Sequence, residues 1–72
     1  MSFSKRLKYL REQQNLTQKQ VAESVGMAQM AYQRYEYGTR EPAYKNLIAL
    51  ADYFDVSLDY LVGRSNNPKI NK

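Results

Sequence analysis

The chain has 72 residues and a net charge of +4, and it contains neither cysteine nor histidine. This length allows a single domain, and the missing side chains exclude disulfides and the commonest zinc ligands as sources of stability. Regular helix packing or self-association must therefore hold the domain together.

Nothing in the sequence predicts a membrane or export signal. No apolar run approaches the roughly 20 residues that a membrane span needs, and the first six residues lack the apolar stretch of a signal peptide. The missing cysteines fit a reducing compartment. We expect a soluble, cytoplasmic protein.

Positive charge is concentrated in the first part of the chain. Residues 1–40 carry seven basic and three acidic side chains, whereas the two signs balance in residues 41–72. Such an imbalance is expected where one part of a protein faces a polyanion, but many small proteins are equally basic without such a partner.

Apolar periodicity predicts five short helices and no strand. Phe3, Leu7 and Leu10 recur at helical spacing, which predicts a first helix from about Ser4 to Gln14. The basic residues of this segment are expected on its solvated face: Lys5, Arg6 and Lys8.

A capping box predicts the start of the second helix. Thr17 and Gln20 have the spacing at which the hydroxyl and the amide each accept a hydrogen bond from the other's backbone N–H. This helix is predicted to end at Gly26, which adopts positive φ without strain. Its inward positions are Val21, Ala22 and Val25.

The third helix is predicted from about Ala28 to Tyr37, with Gly38 as its C-terminal signal. Its core side is expected to carry Ala31, Tyr32 and Tyr35.

Two further helices complete the predicted domain, residues 1–63. Pro42 is expected near the first turn of the fourth helix, whose apolar stripe contains Leu47, Leu50, Ala51 and Phe54. Ser57 is expected to cap a fifth helix that continues to about Val62. Residues 64–72 are predicted to form a flexible C-terminal tail.

The most informative feature is the short connection between the second and third helices. Helices joined by so short a turn must cross steeply, which small residues such as Ala22 and Gly26 permit. One face of the third helix then remains uncovered, and it carries Gln29, Met30 and Gln33. Glutamine amides pair with adenine edges, and apolar side chains touch thymine methyl groups.

From about Lys5 to Val62, the sequence resembles the Cro and lambda-repressor-like helix-turn-helix family of DNA-binding proteins, also called the xenobiotic-response-element type. The resemblance implies an all-α, compact five-helix fold whose second and third helices form the helix-turn-helix. The matching elements are Arg11, Leu16-Thr17-Gln18, Val21-Ala22, Gly26, Arg34-Tyr35-Glu36 with Gly38, Arg40-Glu41-Pro42, and the run from Val56 to Leu61.

The resemblance also implies roles for individual residues. The positions expected to meet base edges are Gln29, Met30 and Gln33, with Ala28 beside them. Arg11 and Glu36 match positions that often form an ion pair between the first and third helices. We expect phosphate contacts from Gln18, Lys19, Arg34, Tyr37, Thr39, Arg40, Tyr44 and Lys45.

The sequence departs from the family pattern at two positions of the reading helix. The family often has Ser or Thr where Ala28 stands, and alanine cannot cap the helix, at a cost of about 1 kcal/mol. Met30 occupies a position where polar residues are common, which favours a thymine-methyl contact or adaptable packing.

These features predict a sequence-specific, repressor-like regulator that binds double-stranded DNA as a homodimer on a palindrome, in the nucleoid-associated cytoplasm. The dimer surface is predicted at Leu58, Tyr60 and Leu61, with Leu61 alternatively in the core. The competing hypothesis is a protein-interaction adaptor or antitoxin with the same fold and weak or absent specific DNA binding. No enzyme activity, metal, cofactor or small-molecule ligand is expected.

Overall fold

Five helices joined by short turns make up the computed structural model, which describes residues 1–70. They are α1 (Phe3–Gln13), α2 (Gln18–Ser24), α3 (Gln29–Tyr37), α4 (Tyr44–Phe54) and α5 (Leu58–Leu61). The described residues form no strand, so the predicted all-α, five-helix fold is confirmed. None of these helices combines the length and the apolar composition that a membrane crossing requires.

Side-chain caps begin α1, α2 and α5. The capping box of Thr17 and Gln20 forms as predicted, with bonds of 2.8 and 3.0 Å. Ser57 accepts from the backbone N–H of Tyr60, and Ser2, whose role was not predicted, accepts from that of Lys5. The remaining two helices start without a side-chain cap, at Ala28 for α3 and at Ala43 for α4.

The apolar stripes of the helices meet in one core. Tyr32 and Leu61 are among its fully buried members, and Tyr35 is 2% exposed. The tyrosine rings therefore lie on the core side of α3, as the sequence predicted. The other core residues are Leu7, Val21, Ala22, Leu50, Ala51, Phe54 and Val56.

Arg6 lies inside the molecule rather than on the solvated face of α1. Its side chain is covered, with the residue only 4% exposed, and the guanidinium carbon is 3.8 Å from the centroid of the Tyr60 ring. A single long hydrogen bond of 3.4 Å joins its Nη2 to Asn66 Oδ1. The expectation for Arg6 was wrong, because a long aliphatic stem with a flat charged head can pack against an aromatic ring. Lys5 and Lys8 are exposed as expected.

Residues 64–70 follow a defined path along the body of the protein. The backbone N–H groups of Arg64 and Ser65 donate to the Asp59 carbonyl, and that of Ser57 donates to the Pro68 carbonyl at 2.9 Å. The flexibility assigned to this segment stays a prediction. Its final residues, Asn71 and Lys72, lie outside the described part of the chain.

Candidate nucleic-acid interface

The turn between α2 and α3 projects the third helix from the body. The Met27 backbone N–H donates to the Ala22 carbonyl at 2.8 Å, which closes the turn directly on the end of α2. Gly26 has a φ of +73°, and no neighbouring atom lies within 4 Å of where a Cβ would stand. This glycine is therefore needed for its backbone conformation, not for close packing.

The two sides of α3 have opposite environments. Tyr32 and Tyr35 point into the core, whereas Gln29 and Met30 are exposed and Gln33 is half-buried. Ala28 is also exposed at the uncapped start of the helix. The structure thus brings the four residues predicted to contact bases to one end and one side of a single helix.

A carboxylate at the end of α3 connects the first three helices. Arg11 of α1 binds the Glu36 carboxylate through two hydrogen bonds, from Nε at 2.7 Å and from Nη2 at 3.0 Å. The Nη1 atom of Arg11 also donates to the Leu16 carbonyl at 2.9 Å. The Glu36 side chain is 1% exposed. The structure therefore places the expected pair together as a buried ion pair.

Burial on its own would raise the pKa of Glu36. The donors around the carboxylate, Arg11 first and then the nearby Tyr32 hydroxyl and Gln18, outweigh this effect, and the pKa of the carboxyl stays below its ordinary value. The same ion pair raises the pKa of Arg11. Burial, reinforced by the nearby Glu36 carboxylate, raises the pKa of the Tyr32 hydroxyl. All three groups therefore keep their usual charge states at neutral pH.

Gln18 takes part in this network from the first turn of α2. Its Nε2 atom donates to Glu36 Oε1 at 3.1 Å, and the side chain is half-buried. An amide nitrogen carries two hydrogens, so one N–H remains for a phosphate oxygen while the other is fixed. The sequence did not predict the internal bond, since it depends on how α2 and α3 pack.

The other residues expected at phosphates are all exposed. Tyr37 and Tyr44 are 68% and 75% exposed and flank the loop between α3 and α4. Among the described residues, the ion pairs are Arg11–Glu36 and Arg64–Asp59, so the cations of this group have no carboxylate partner. Its remaining members are Lys19, Arg34, Thr39, Arg40 and Lys45.

The predicted dimer surface is only partly available. Leu58 is 40% exposed, but Tyr60 is half-buried, and the Arg6 guanidinium stacks on its ring. Leu61 is fully buried, which corrects its assignment to a dimer surface in favour of the core alternative. The Leu61 side chain packs in the hydrophobic core and is not available to a partner.

The described residues contain no cluster of metal-binding side chains. Residues 1–70 bring together no group of three or more acidic side chains that could hold a metal ion, and the chain has no histidine or cysteine.

Comparison with known proteins places this arrangement in a family. A family model described as helix-turn-helix matches residues 7–61. The chain is 47% identical over 68 residues to the uncharacterized HTH-type transcriptional regulator YqaE of Bacillus subtilis, covering 94% of this chain and 59% of the relative. It is 38% identical over 64 residues to the cryptic phage CTXphi transcriptional repressor RstR of Vibrio cholerae, covering 89% and 57%.

A solved structure gives the same result for the fold. The P22 c2 repressor in complex with a synthetic operator superimposes with a TM-score of 0.84 at 26% identity, covering 90% of this chain and 98% of that one. The chain spans about three-fifths of the length of the curated relatives that it matches. With the family model matching most of its length and 47% identity to a named member, the chain belongs to the helix-turn-helix family, as its sequence predicted.

Proposed function

We propose that the chain is a repressor-like transcriptional regulator that binds double-stranded DNA and reads the major groove with α3. One observation carries the proposal: the third helix buries two tyrosines on one side and leaves Gln29, Met30 and Gln33 accessible on the other. A helix fits the major groove of B-form DNA, where amide and apolar side chains distinguish base pairs. The names of the relatives describe transcriptional regulators and no enzymes, and the P22 c2 repressor was solved with an operator.

Phosphate binding is the second part of the proposal. In sequence, two of the expected phosphate ligands precede the base-reading positions and six follow them, and their cations are not neutralised by carboxylates of the described residues. They are Gln18 and Lys19 before, and Arg34, Tyr37, Thr39, Arg40, Tyr44 and Lys45 after. Such contacts hold the register on DNA and make the affinity fall with salt. Base contacts then supply the preference for one sequence.

We propose further that two copies bind a palindrome. One reading helix spans too few base pairs for selectivity in a genome, because each wrong pair costs only about 1–3 kcal/mol. Two half-sites about one helical turn apart would double the number of pairs read. With Leu61 in the core, the surface that remains for this contact is the exposed Leu58 and the half-buried Tyr60. DNA-bound regulators of this kind act in the nucleoid-associated cytoplasm, which is where we place the chain.

The proposal is tested by selecting bound duplexes from a random-sequence pool. The wild-type chain should enrich one motif, and a dimer should give that motif two-fold symmetry. The variants Gln29→Ala and Gln33→Ala should each relax the preference at particular base pairs. Gln13→Ala is the matched control, because Gln13 is an exposed glutamine at the end of α1, outside the proposed interface.

Two results of the same selection would contradict parts of the proposal. If the folded wild-type chain enriches no motif even at low salt, the proposal fails and the adaptor or antitoxin hypothesis replaces it. If the motif is enriched without symmetry and the protein remains monomeric on it by light scattering, only the dimer is lost.

A further inference from the structure

The loop between α3 and α4 carries part of the proposed phosphate surface but has few attachments of its own. Within residues 1–70, backbone hydrogen bonds connect Thr39 to α3 and Leu47 to Ala43, and none involves residues 40–42. The start of α4 also lacks a side-chain cap from its own N-cap residue. Although the apolar side of α4 packs in the core, a polar link between the reading helix and the first turn of α4 must come from other side chains.

The Tyr35 hydroxyl supplies that contact. It accepts hydrogen bonds from Asn46 Nδ2 at 3.0 Å and from the Ala43 backbone N–H at 3.4 Å. The hydroxyl thus satisfies the backbone N–H of Ala43, the N-cap residue of α4, and holds a side chain of the first turn. Tyr35 belongs to α3, so these bonds join the reading helix directly to the first turn of α4.

The position of this hydroxyl is fixed by the core. Tyr35 is 2% exposed, and its ring packs edge-on against Phe3 with centroids 6.0 Å apart. The core packing therefore fixes the position of the ring, and the hydrogen bonds of its hydroxyl position the loop and the start of α4. Tyr44 and Lys45, two expected phosphate ligands, lie next to Ala43 and Asn46 in sequence.

We propose that Tyr35 is a positioning residue for DNA binding, which sets the phosphate-contacting start of α4 relative to the base-reading side of α3. The inference rests on the proposed function and deepens it. Base and phosphate contacts are made to the same rigid duplex, so a shift of one group relative to the other weakens binding even when every ligand is present. Asn46 contributes to this arrangement through its hydrogen bond to the hydroxyl.

Tyr35→Phe separates this role from a purely structural one. The substitution keeps the packed ring and removes only the hydroxyl. Ala43 is exposed and Asn46 is half-buried, so we expect the variant to remain folded, with a melting temperature lower by about 4–8 °C, the equivalent of about 1 kcal/mol. Tyr32→Phe is the matched control, because the Tyr32 hydroxyl is also buried in α3 but its polar neighbours are Glu36 and Arg11 rather than the loop or α4.

DNA binding is measured on the duplex that the wild-type chain enriches by selection. For Tyr35→Phe we expect about five- to tenfold weaker binding, because losing internal bonds worth about 1 kcal/mol or slightly more lowers the population of the positioned α4 start, and with it the apparent affinity, by about that factor. The salt dependence should become shallower by roughly one unit of slope as the Lys45 contact is lost. Phosphate ethylation should no longer interfere at the phosphates that meet α4, while the base preference assigned to Gln29 and Gln33 stays unchanged. Tyr32→Phe should match the parent in all three measurements.

A second variant tests the same link from the other side. Asn46→Ala should reproduce the changed interference pattern, and combining it with Tyr35→Phe should add little further loss, since both remove the same hydrogen bond. Fully additive losses would overturn the inference, as would a Tyr35→Phe variant that binds like the parent. A loss of affinity that follows a large drop in melting temperature with an unchanged interference pattern would also overturn it, in favour of a structural role.

DNA binding by the chain and the positioning role of Tyr35 are tested separately by these measurements. If the wild-type chain selects no DNA sequence, the proposed function fails and this inference falls with it. If the wild type selects a sequence and Tyr35→Phe binds it equally well, the inference alone is wrong.

Discussion

Replacing Arg11 by alanine should strongly destabilise the domain. The substitution removes the bidentate partner of Glu36 and leaves a carboxylate that is 1% exposed. Gln18 would remain as a single neutral donor to that carboxylate. Breaking a buried ion pair on one side costs about 3–5 kcal/mol, because the remaining charge is desolvated without compensation.

This loss is large compared with the stability of so small a domain. At roughly 0.05–0.15 kcal/mol per residue, a chain of 72 residues has about 4–11 kcal/mol of unfolding free energy. In domains of this size each kilocalorie shifts the melting temperature by about 4–8 °C, so Arg11→Ala should lower it by about 12 °C or more. If the cost is about 5 kcal/mol and the parent has only about 4 kcal/mol of unfolding free energy, the variant is unfolded at room temperature.

Thermal melts followed by circular dichroism give the test, and their pH dependence identifies the cause. In the parent, the pKa of Glu36 lies below its ordinary value of 4.5, so the ion pair contributes fully above that pH and is lost as the pH falls further. In Arg11→Ala, burial raises the pKa of Glu36 without its main counterweight, and the carboxyl takes up a proton at a higher pH. The gap between the two melting temperatures should therefore narrow between pH 7 and pH 3.

Arg34→Ala is the control, since Arg34 is exposed and its guanidinium makes only a weak hydrogen bond, from Nη2 to the Met30 sulfur at 3.8 Å, among the described side chains. It should melt within about 4 °C of the parent, as is usual for a surface change. If Arg11→Ala melts as the control does, or if the gap stays constant with pH, the reasoning about the buried pair is refuted.

Three further outcomes are expected. Ala28→Ser supplies the missing cap of α3 and should raise the melting temperature by about 4–8 °C, the equivalent of about 1 kcal/mol; an unchanged melt would show that the start of the helix gains nothing from a cap. Gly63→Ala should lower the free energy of unfolding in urea more than Gly26→Ala does. Both glycines have positive φ, which costs an alanine about 1–2 kcal/mol, but only at Gly63 would the new Cβ also collide with the Met1 carbonyl. Equal losses would contradict this expectation. Arg40→Ala should weaken binding to all DNA sequences alike and reduce the salt slope by about one, whereas an altered sequence preference would assign it a base contact instead.

Much of the fold could be predicted because its signals are local. The capping box at Thr17 and Gln20 and the glycine at position 26 act within a few residues of where they stand, and both behave as expected. The inward positions of α3 followed from helical periodicity in the same way. Exposure of Gln29 and Met30 then followed from the inward rings alone.

Other features depend on contacts between distant parts of the chain. Arg6 looked like a surface residue because its neighbours are charged, and only the packing of Tyr60 against α1 shows otherwise. The bond from Asn46 to Tyr35 crosses a loop with no regular spacing, so no periodic pattern predicts it. The bond from Gln18 to Glu36 likewise requires knowing how two helices meet.

The separation between the two sides of α3 has a consequence for redesign. Gln29 and Met30 make no hydrogen bond to the core, while Tyr32, Tyr35 and Glu36 make the contacts that hold the helix in place. New target sequences can therefore be sought by randomising the outward pair without rebuilding the scaffold. A library of variants at Gln29 and Met30 should consist mostly of folded proteins that differ in the DNA sequence they prefer.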